Sequence, residues 1–148
     1  MVFNRNLTKY WLPVILWMCF IFWMSTETFS SENTFSWTEI LVHFLLPKIS
    51  SQEVLFINAL IRKAAHVVEY FVLGILLFRT FRGSSVSSWN WRWPIFAVIV
   101  VALWAASDEF HQSFVPSRMA SAADVAIDTA GGILAQFVAF LWHHGRKK

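Results

Sequence analysis

The sequence predicts an all-α membrane protein, a bundle of four transmembrane helices. Hydrophobic residues make up 57% of the 148-residue chain, charged residues only 14%, and the mean hydropathy is +0.52. A soluble domain carries about 25% charged residues. The apolar residues are concentrated in four runs, and the nine Trp residues suit the membrane–water interface. We therefore predict one membrane domain over residues 1–148, with spans at about 10–26, 64–81, 93–113 and 121–142.

The first apolar run, residues 10–24, follows a basic segment that contains Arg5 and Lys9. A basic start followed by an apolar core also describes a signal peptide, but no cleavage site with small residues follows this run. Pro13 lies in the first turn of the run, where the missing N–H costs little. We predict an uncleaved transmembrane helix.

A short amphipathic helix is predicted after the first span. Apolar residues recur at helical spacing from Trp37 to Leu45 and stop before Pro47. Such a helix is too short to cross a bilayer, so we expect it to lie on the membrane surface. Binding of a partner protein is the alternative for the same apolar face.

The second span is the apolar end of a longer predicted helix. Ser50 is a typical N-cap and Glu53 falls in the first turn, so the helix begins here. The pattern then stays helical to Phe81, and residues 64–81 are apolar enough to span. A Gly/Ser-rich loop flanked by basic residues follows.

The third span must include charged residues. Its purely apolar part, residues 93–106, is shorter than the roughly 20 residues that a crossing needs. The helix is therefore predicted to continue through Asp108 and Glu109 to about Ser113, and Pro116 ends it.

The fourth span is predicted to begin with the pattern Ser121-x-x-Asp124, which is similar to a capping box with Asp in place of Glu. Gly131 and Gly132 lie inside this helix. Glycines in a transmembrane helix allow a neighbouring helix to approach closely.

The basic residues predict the orientation. Eight of the twelve Lys and Arg residues lie at the two termini and in the middle loop, and the positive-inside rule assigns these segments to the cytoplasm. The other side carries Lys48, Arg62, Lys63 and Arg118. Both termini are therefore expected in the cytoplasm, with the polar ends of three spans facing outward.

Ionisable groups at membrane depth are costly, so those at the outward ends are the candidate functional residues. Spacing places Lys63, His66 and Tyr70 on one helical face, and it places Asp124 and Asp128 on another. Short loops would bring three helix ends together. The predicted cluster contains Lys63, His66, Tyr70, Asp108, Glu109, Gln112, Asp124 and Asp128, with Arg118 from the intervening loop.

This arrangement resembles the VanZ family, named for a glycopeptide (teicoplanin) resistance protein. The resemblance rests on three patterns: Lys63-x-x-His66-x-x-x-Tyr70, Asp108-Glu109-x-x-Gln112-x-x-x-Pro116-x-Arg118, and Ser121-x-x-Asp124 with Gly131. Ser117 replaces the usual Gly, and Asp128 replaces the usual Asn. The resemblance implies a multi-pass protein of the bacterial cytoplasmic (inner) membrane that is linked to glycopeptide tolerance, without an established reaction.

Two hypotheses stay open at this point. In the first, the cluster binds or processes an anionic or lipid-linked cell-envelope molecule, with phosphate held by Lys63 and Arg118 and with His66, Asp108 and Glu109 as candidate acid–base groups. In the second, the cluster is a structural polar core, or it binds antibiotic or precursor without changing it. A role in proton-coupled transport is a weaker third hypothesis. The remaining predicted binding residues are Tyr70, Gln112, Asp124 and Asp128.

The predicted partners are membrane lipids together with a lipid-linked envelope precursor or a glycopeptide. A homo-oligomer is compatible with the sequence. Nucleic acid is not expected, because the basic residues fall at the ends of apolar runs. No metal-binding spacing is present, so no metal and no cofactor are predicted.

Overall fold

A computed structural model describes residues 7–26, 30–85, 88–115 and 120–145 of the chain, and the described part contains helices and no strand. A π-helical turn, Leu7–Trp11, leads into the first of the five α-helices found in these ranges. In chain order these are α1 (Leu12–Met24), α2 (Ser31–Leu45), α3 (Ser51–Arg82), α4 (Arg92–Gln112) and α5 (Ala122–Gly145).

Within the described residues, four helical stretches are long and apolar enough to cross a membrane, namely Leu7–Met24 and the helices α3, α4 and α5. The predicted all-α fold with four candidate spans is therefore confirmed. Large apolar side chains on these helices point outward, as Leu103 and Phe137 do, which suits a lipid surround. The orientation of the termini stays a prediction.

The short helix after the first span is present as α2. Ser30 caps it by accepting the backbone N–H of Asn33 at 3.4 Å. Its outer face is apolar, with Trp37 78% and Phe44 81% exposed, whereas Thr38 and Val42 are buried against the bundle. That pattern matches the predicted amphipathic helix, and its place on the membrane surface stays a prediction.

Helix α3 begins with the cap that the sequence predicts. The Ser50 hydroxyl accepts the backbone N–H of Glu53 at 3.4 Å, and the Glu53 carboxylate accepts the backbone N–H of Ser50 at 2.9 Å. The helix has 32 residues. At 1.5 Å per residue that length exceeds the roughly 30 Å of a hydrocarbon core, so part of α3 extends beyond it.

Helices α3, α4 and α5 form the centre of the bundle, and small residues on α5 set their spacing. A Cβ atom added at Gly131 would lie 2.6 Å from the backbone oxygen of Val67 on α3. A Cβ atom at Gly132 would lie 2.6 Å from Cγ1 of Val101 on α4. Both glycines are buried, so α5 touches two neighbours at positions where only a hydrogen fits.

Gly131→Ala is expected to lower stability by about 1–3 kcal/mol, because the added methyl group meets backbone rather than a movable side chain. The change should appear as a lower Tm of the purified protein in detergent. Gly145→Ala is the matched control, because a Cβ atom there meets nothing within 4 Å. Equal Tm values for the two variants would contradict the close packing of α3 on α5.

Candidate functional site

The polar end of the bundle is the end where the middle of α3 meets the last turns of α4 and the first turns of α5. Two ion pairs join α3 to α5 there. Nδ1 of His66 lies 3.4 Å from Oδ1 of Asp128, and Nζ of Lys63 lies 3.6 Å from Oδ1 of Asp124. The predicted i, i+3 and i, i+4 faces of the two helices therefore meet each other.

Helix α4 contributes a carboxylate that is bonded to its own helix and to α1. The Gln112 side-chain amide donates to Oδ2 of Asp108 at 3.0 Å, one turn earlier, and to Oγ of Ser25 at 2.6 Å. Asp108, Gln112 and Ser25 are all buried. Gln112 thus ties the end of the first span to the polar end of the bundle.

Glu109 connects α4 to the start of α5, and its candidate acid–base role stays a prediction. Its Oε2 accepts the backbone N–H of Ser121 at 2.7 Å, just before α5 begins. The Ser121 hydroxyl accepts the backbone N–H of Ala123, while the Asp124 carboxylate pairs with Lys63. In the predicted capping box, the Asp124 carboxylate would accept the backbone N–H of Ser121. Glu109 accepts that N–H instead, because its side chain reaches the start of α5 from α4.

Two buried groups lie beside these contacts with polar atoms that lack hydrogen-bond partners in the described part of the chain. Asp128 has no exposed surface, and neither of its oxygens has a donor there apart from the His66 ring at ion-pair distance. The Tyr70 hydroxyl is also fully buried and unbonded among the described residues. Buried polar groups are nearly always satisfied, so these atoms mark a place for water or a ligand.

A cleft of about 360 Å³ opens beside the polar end, between α1, α2, α3 and α4. Part of its wall is apolar, formed by Ile21, Met24, Trp37, Ile61 and Ala65. Its polar lining consists of Ser25, Thr34, Thr38, Asn58, Arg62, His66, Glu69 and Asp108. An apolar cleft with a few convergent polar groups is the usual form of a small-molecule site.

The structure places the described members of the predicted site in four groups. His66 and Asp108 line the cleft, whereas Asp128 and Tyr70 are buried outside its lining. Lys63 and Asp124 pair with each other outside the lining, and the Lys63 side chain is 56% exposed. Glu109 and Gln112 are engaged in helix contacts. Arg118, together with Pro116 and Ser117, lies outside the described residues.

The cleft also contains residues that the sequence patterns did not indicate as site candidates. The Thr38 hydroxyl on α2 donates to the Asn58 side-chain oxygen on α3 at 2.9 Å, and both residues are buried. Asn58 is a lone amide within an apolar stretch of α3, and Thr34 precedes Thr38 by one turn on α2. The isolated amide and the two threonines one turn apart were the sequence signals for this contact. Neither signal shows that α2 folds over α3.

A metal centre is not evident in the part of the chain that the structure describes. No group of three or more His, Cys, Asp or Glu side chains there has an arrangement that could hold an ion. The carboxylates of the polar end instead engage separate protein partners, as Glu109 does with Ser121 and Asp124 with Lys63.

Comparison with known proteins identifies the family of this chain. A family model described as VanZ/LLP1 matches residues 10–143. The chain belongs to the VanZ/LLP1 family. No curated protein and no solved structure gives a significant match. In this VanZ/LLP1 chain the patterns that carry the resemblance, with His66, Asp108, Gln112 and Asp124, meet at the polar end of the bundle.

Gln112→Leu should lower stability by about 1–3 kcal/mol, because it leaves the buried groups of Ser25 and Asp108 without their amide donor. The readout is the Tm in detergent. Ser107→Ala is the control on an exposed position of the same helix. In a double-mutant cycle with Ser25→Ala, additive effects would show that the Gln112–Ser25 bond does not couple α4 to α1.

Proposed function

We propose that this VanZ/LLP1 protein binds a lipid-linked or anionic cell-envelope molecule and thereby contributes to glycopeptide (teicoplanin) tolerance. The single observation that carries the proposal is the cleft, in which an apolar wall leads to the ionisable side chains of His66 and Asp108. Such a lining suits an amphiphile better than a soluble metabolite, because both its apolar and its polar parts find complementary surface. The family membership supports a role in the membrane.

The proposed location is the bacterial cytoplasmic membrane, with both termini in the cytoplasm and the cleft facing outward. The support is the excess of basic residues at the termini and in the loop between α3 and α4. In this orientation α2 lies at the outer membrane surface, with Trp37 and Phe44 inserted among lipids. Lipids of the outer leaflet then have a direct path to the cleft.

Within the cleft, His66 and Asp108 are the proposed acid–base or binding groups, since both line the wall. Glu109 supports the fold instead, through its bond to Ser121. A purely structural role for the whole polar end is the second candidate, and the buried Gln112–Ser25 bond favours it for that pair. The two candidates differ in what happens when a cleft residue is changed without unfolding the protein.

His66→Gln and Asp108→Asn are each expected to abolish the gain in teicoplanin tolerance that the protein confers, while the amount of protein in the membrane stays unchanged. Both variants keep a polar side chain of similar size but remove an ionisable group from the cleft. The measurement is the minimum inhibitory concentration of teicoplanin alongside quantitative immunoblotting of membranes.

His144→Gln is the matched control, because His144 is an exposed histidine near the end of α5, remote from the cleft. Its tolerance should equal that of the unchanged protein. If His66→Gln and Asp108→Asn lower tolerance only in proportion to a loss of membrane protein, the structural interpretation prevails.

The orientation has its own test in cysteine labelling. Cys19 is the single cysteine, so Cys19→Ser provides a thiol-free background. On that background Ala120→Cys, at an exposed position just before α5, should react with a membrane-impermeant maleimide on intact spheroplasts. Ser88→Cys, in the exposed loop before α4, should react only after the membrane is opened. The reverse pattern would place the cleft in the cytoplasmic leaflet.

A further inference from the structure

The cleft wall carries both signs of charge, arranged along one helix. Arg62, His66 and Glu69 lie four and three residues apart on α3 and all line the cleft, so they share a face. Asp108 lines the same cleft from α4. Arg62 and Glu69 are about 10 Å apart along the helix axis. The cleft therefore offers nitrogen donors towards the start of α3 and carboxylate acceptors deeper along it.

His66 is held between these two regions by a buried carboxylate. Its Nδ1 is buried and lies 3.4 Å from the fully buried Asp128, while the side chain as a whole is 22% exposed. Glu69 and Asp108 also lie within electrostatic reach of the ring. A buried carboxylate is stabilised by a neighbouring donor or cation, so Asp128 holds the Nδ1 edge of the His66 ring towards α5.

The second ring nitrogen is then the donor that His66 offers to a ligand. Nδ1 is buried 3.4 Å from Asp128, so the exposed part of the ring lies on its other side, which includes Nε2. Arg62 lies one helical turn away on the same wall. A histidine ring nitrogen and a guanidinium one turn apart form a pair of donors of the kind that binds phosphate oxygens.

We propose that the cleft binds a phosphodiester lipid whose head group carries N–H or O–H donors. The phosphate lies against Arg62 and His66, the head-group donors lie against Glu69 and Asp108, and the lipid chains pack on the apolar wall near Met24 and Trp37. This proposal rests on the proposed function and names the chemistry of its ligand. It differs from the phosphate site predicted from sequence, because Lys63 pairs with Asp124 outside the cleft lining.

The mixed charge of the wall is what selects the head group. A bare phosphate would be repelled by Glu69 and Asp108, and a simple cation would be repelled by Arg62 and His66. Carboxylates accept hydrogen bonds from an ammonium or a hydroxyl group but gain none from a trimethylammonium group. Phosphatidylethanolamine and phosphatidylglycerol therefore fit the wall, whereas phosphatidylcholine provides the phosphate without the donors.

The test is native mass spectrometry of the full chain in detergent with four lipids that share dioleoyl chains. These are phosphatidylethanolamine, phosphatidylglycerol, phosphatidylcholine and dioleoylglycerol. At least one of the first two should bind about tenfold more tightly than phosphatidylcholine, and dioleoylglycerol should be the weakest ligand. Preference for phosphatidylethanolamine identifies an ammonium donor, and preference for phosphatidylglycerol identifies hydroxyl donors. Equal binding of all four lipids, or binding of none, overturns the proposal.

Asp128→Asn isolates the contribution of Asp128 to the phosphate donor that His66 provides. It keeps the size of the side chain but removes the carboxylate beside the ring, so binding of the preferred phospholipid should fall about tenfold while binding of dioleoylglycerol stays the same. Adding His66→Lys to Asp128→Asn should restore phospholipid binding, because lysine is a cation without help from a carboxylate. Lys48→Gln, an exposed cation outside the cleft lining, should change neither lipid.

Three results decide against the proposal in different ways. Equal weakening of every lipid by Asp128→Asn shows that Asp128 only supports the fold, and failure of the lysine rescue in folded protein shows that the side chain at position 66 does not bind the phosphate. An effect of Lys48→Gln as large as that of Asp128→Asn shows non-specific attraction. If teicoplanin tolerance still depends on His66 in any of these cases, the envelope role stands and its ligand has another chemistry.

Discussion

The contact between Asp128 and His66 is the constraint on which the polar end of the bundle depends. Asp128 is fully buried inside a helix that is otherwise built for lipid, and an unpaired charge there would cost several kcal/mol. Its partner lies on α3, so α5 must stay within ion-pair distance of α3. Gly131 follows three residues later on the same side of α5 and removes the Cβ atom that would push α3 away. The Asp128–His66 contact and the missing Cβ atom at Gly131 therefore both depend on a close approach of α5 to α3.

The remaining helices are fixed to this pair by polar bonds rather than by apolar packing alone. Gln112 connects α4 to α1 through Ser25, Glu109 connects α4 to the start of α5, and Thr38 connects α2 to Asn58 on α3. In a lipid surround there is little hydrophobic force between helices, so such bonds specify which helix ends meet. They also help to define the cleft, because its walls are α3 and the three helices α1, α2 and α4.

Much of the fold could be predicted from the sequence because hydropathy and length restrict a membrane helix strongly. The apolar part of α4 is too short to cross a bilayer, and that fact alone predicted its continuation to about Ser113, close to its observed end at Gln112. The cap at Ser50 and the close approach at Gly131 also followed from local chemistry. The partners of individual side chains could not be predicted in this way. Spacing placed Lys63 and His66 on one face, but only the rotation of α5 against α3 pairs the first with Asp124 and the second with Asp128.

The cleft could not be predicted from the sequence, for a related physical reason. It exists because α2 folds back over α3, and that contact depends on single polar side chains, Thr38 and Asn58, in segments whose hydropathy looks ordinary. A sequence pattern reports the faces of one helix at a time, whereas a cleft is a property of several helices together. The same limit applies to Glu109, which caps the neighbouring helix from a position twelve residues away.

The two ends of the bundle differ in a way that favours a function at the polar end. At the opposite end, Phe140 on α5 packs against Trp89, Trp91 and His144 at ring distances of 5.2, 5.5 and 4.1 Å. The Thr80 hydroxyl there donates to the backbone oxygen of Tyr10, which joins α3 to the π-helical turn. These contacts join the described part of that end through aromatic rings and a hydroxyl bonded to a backbone oxygen, and no described carboxylate is buried there. Burying the carboxyl groups of Asp108 and Asp128 at the polar end costs far more free energy. A bundle with only a structural role could have packed aromatic rings at both ends.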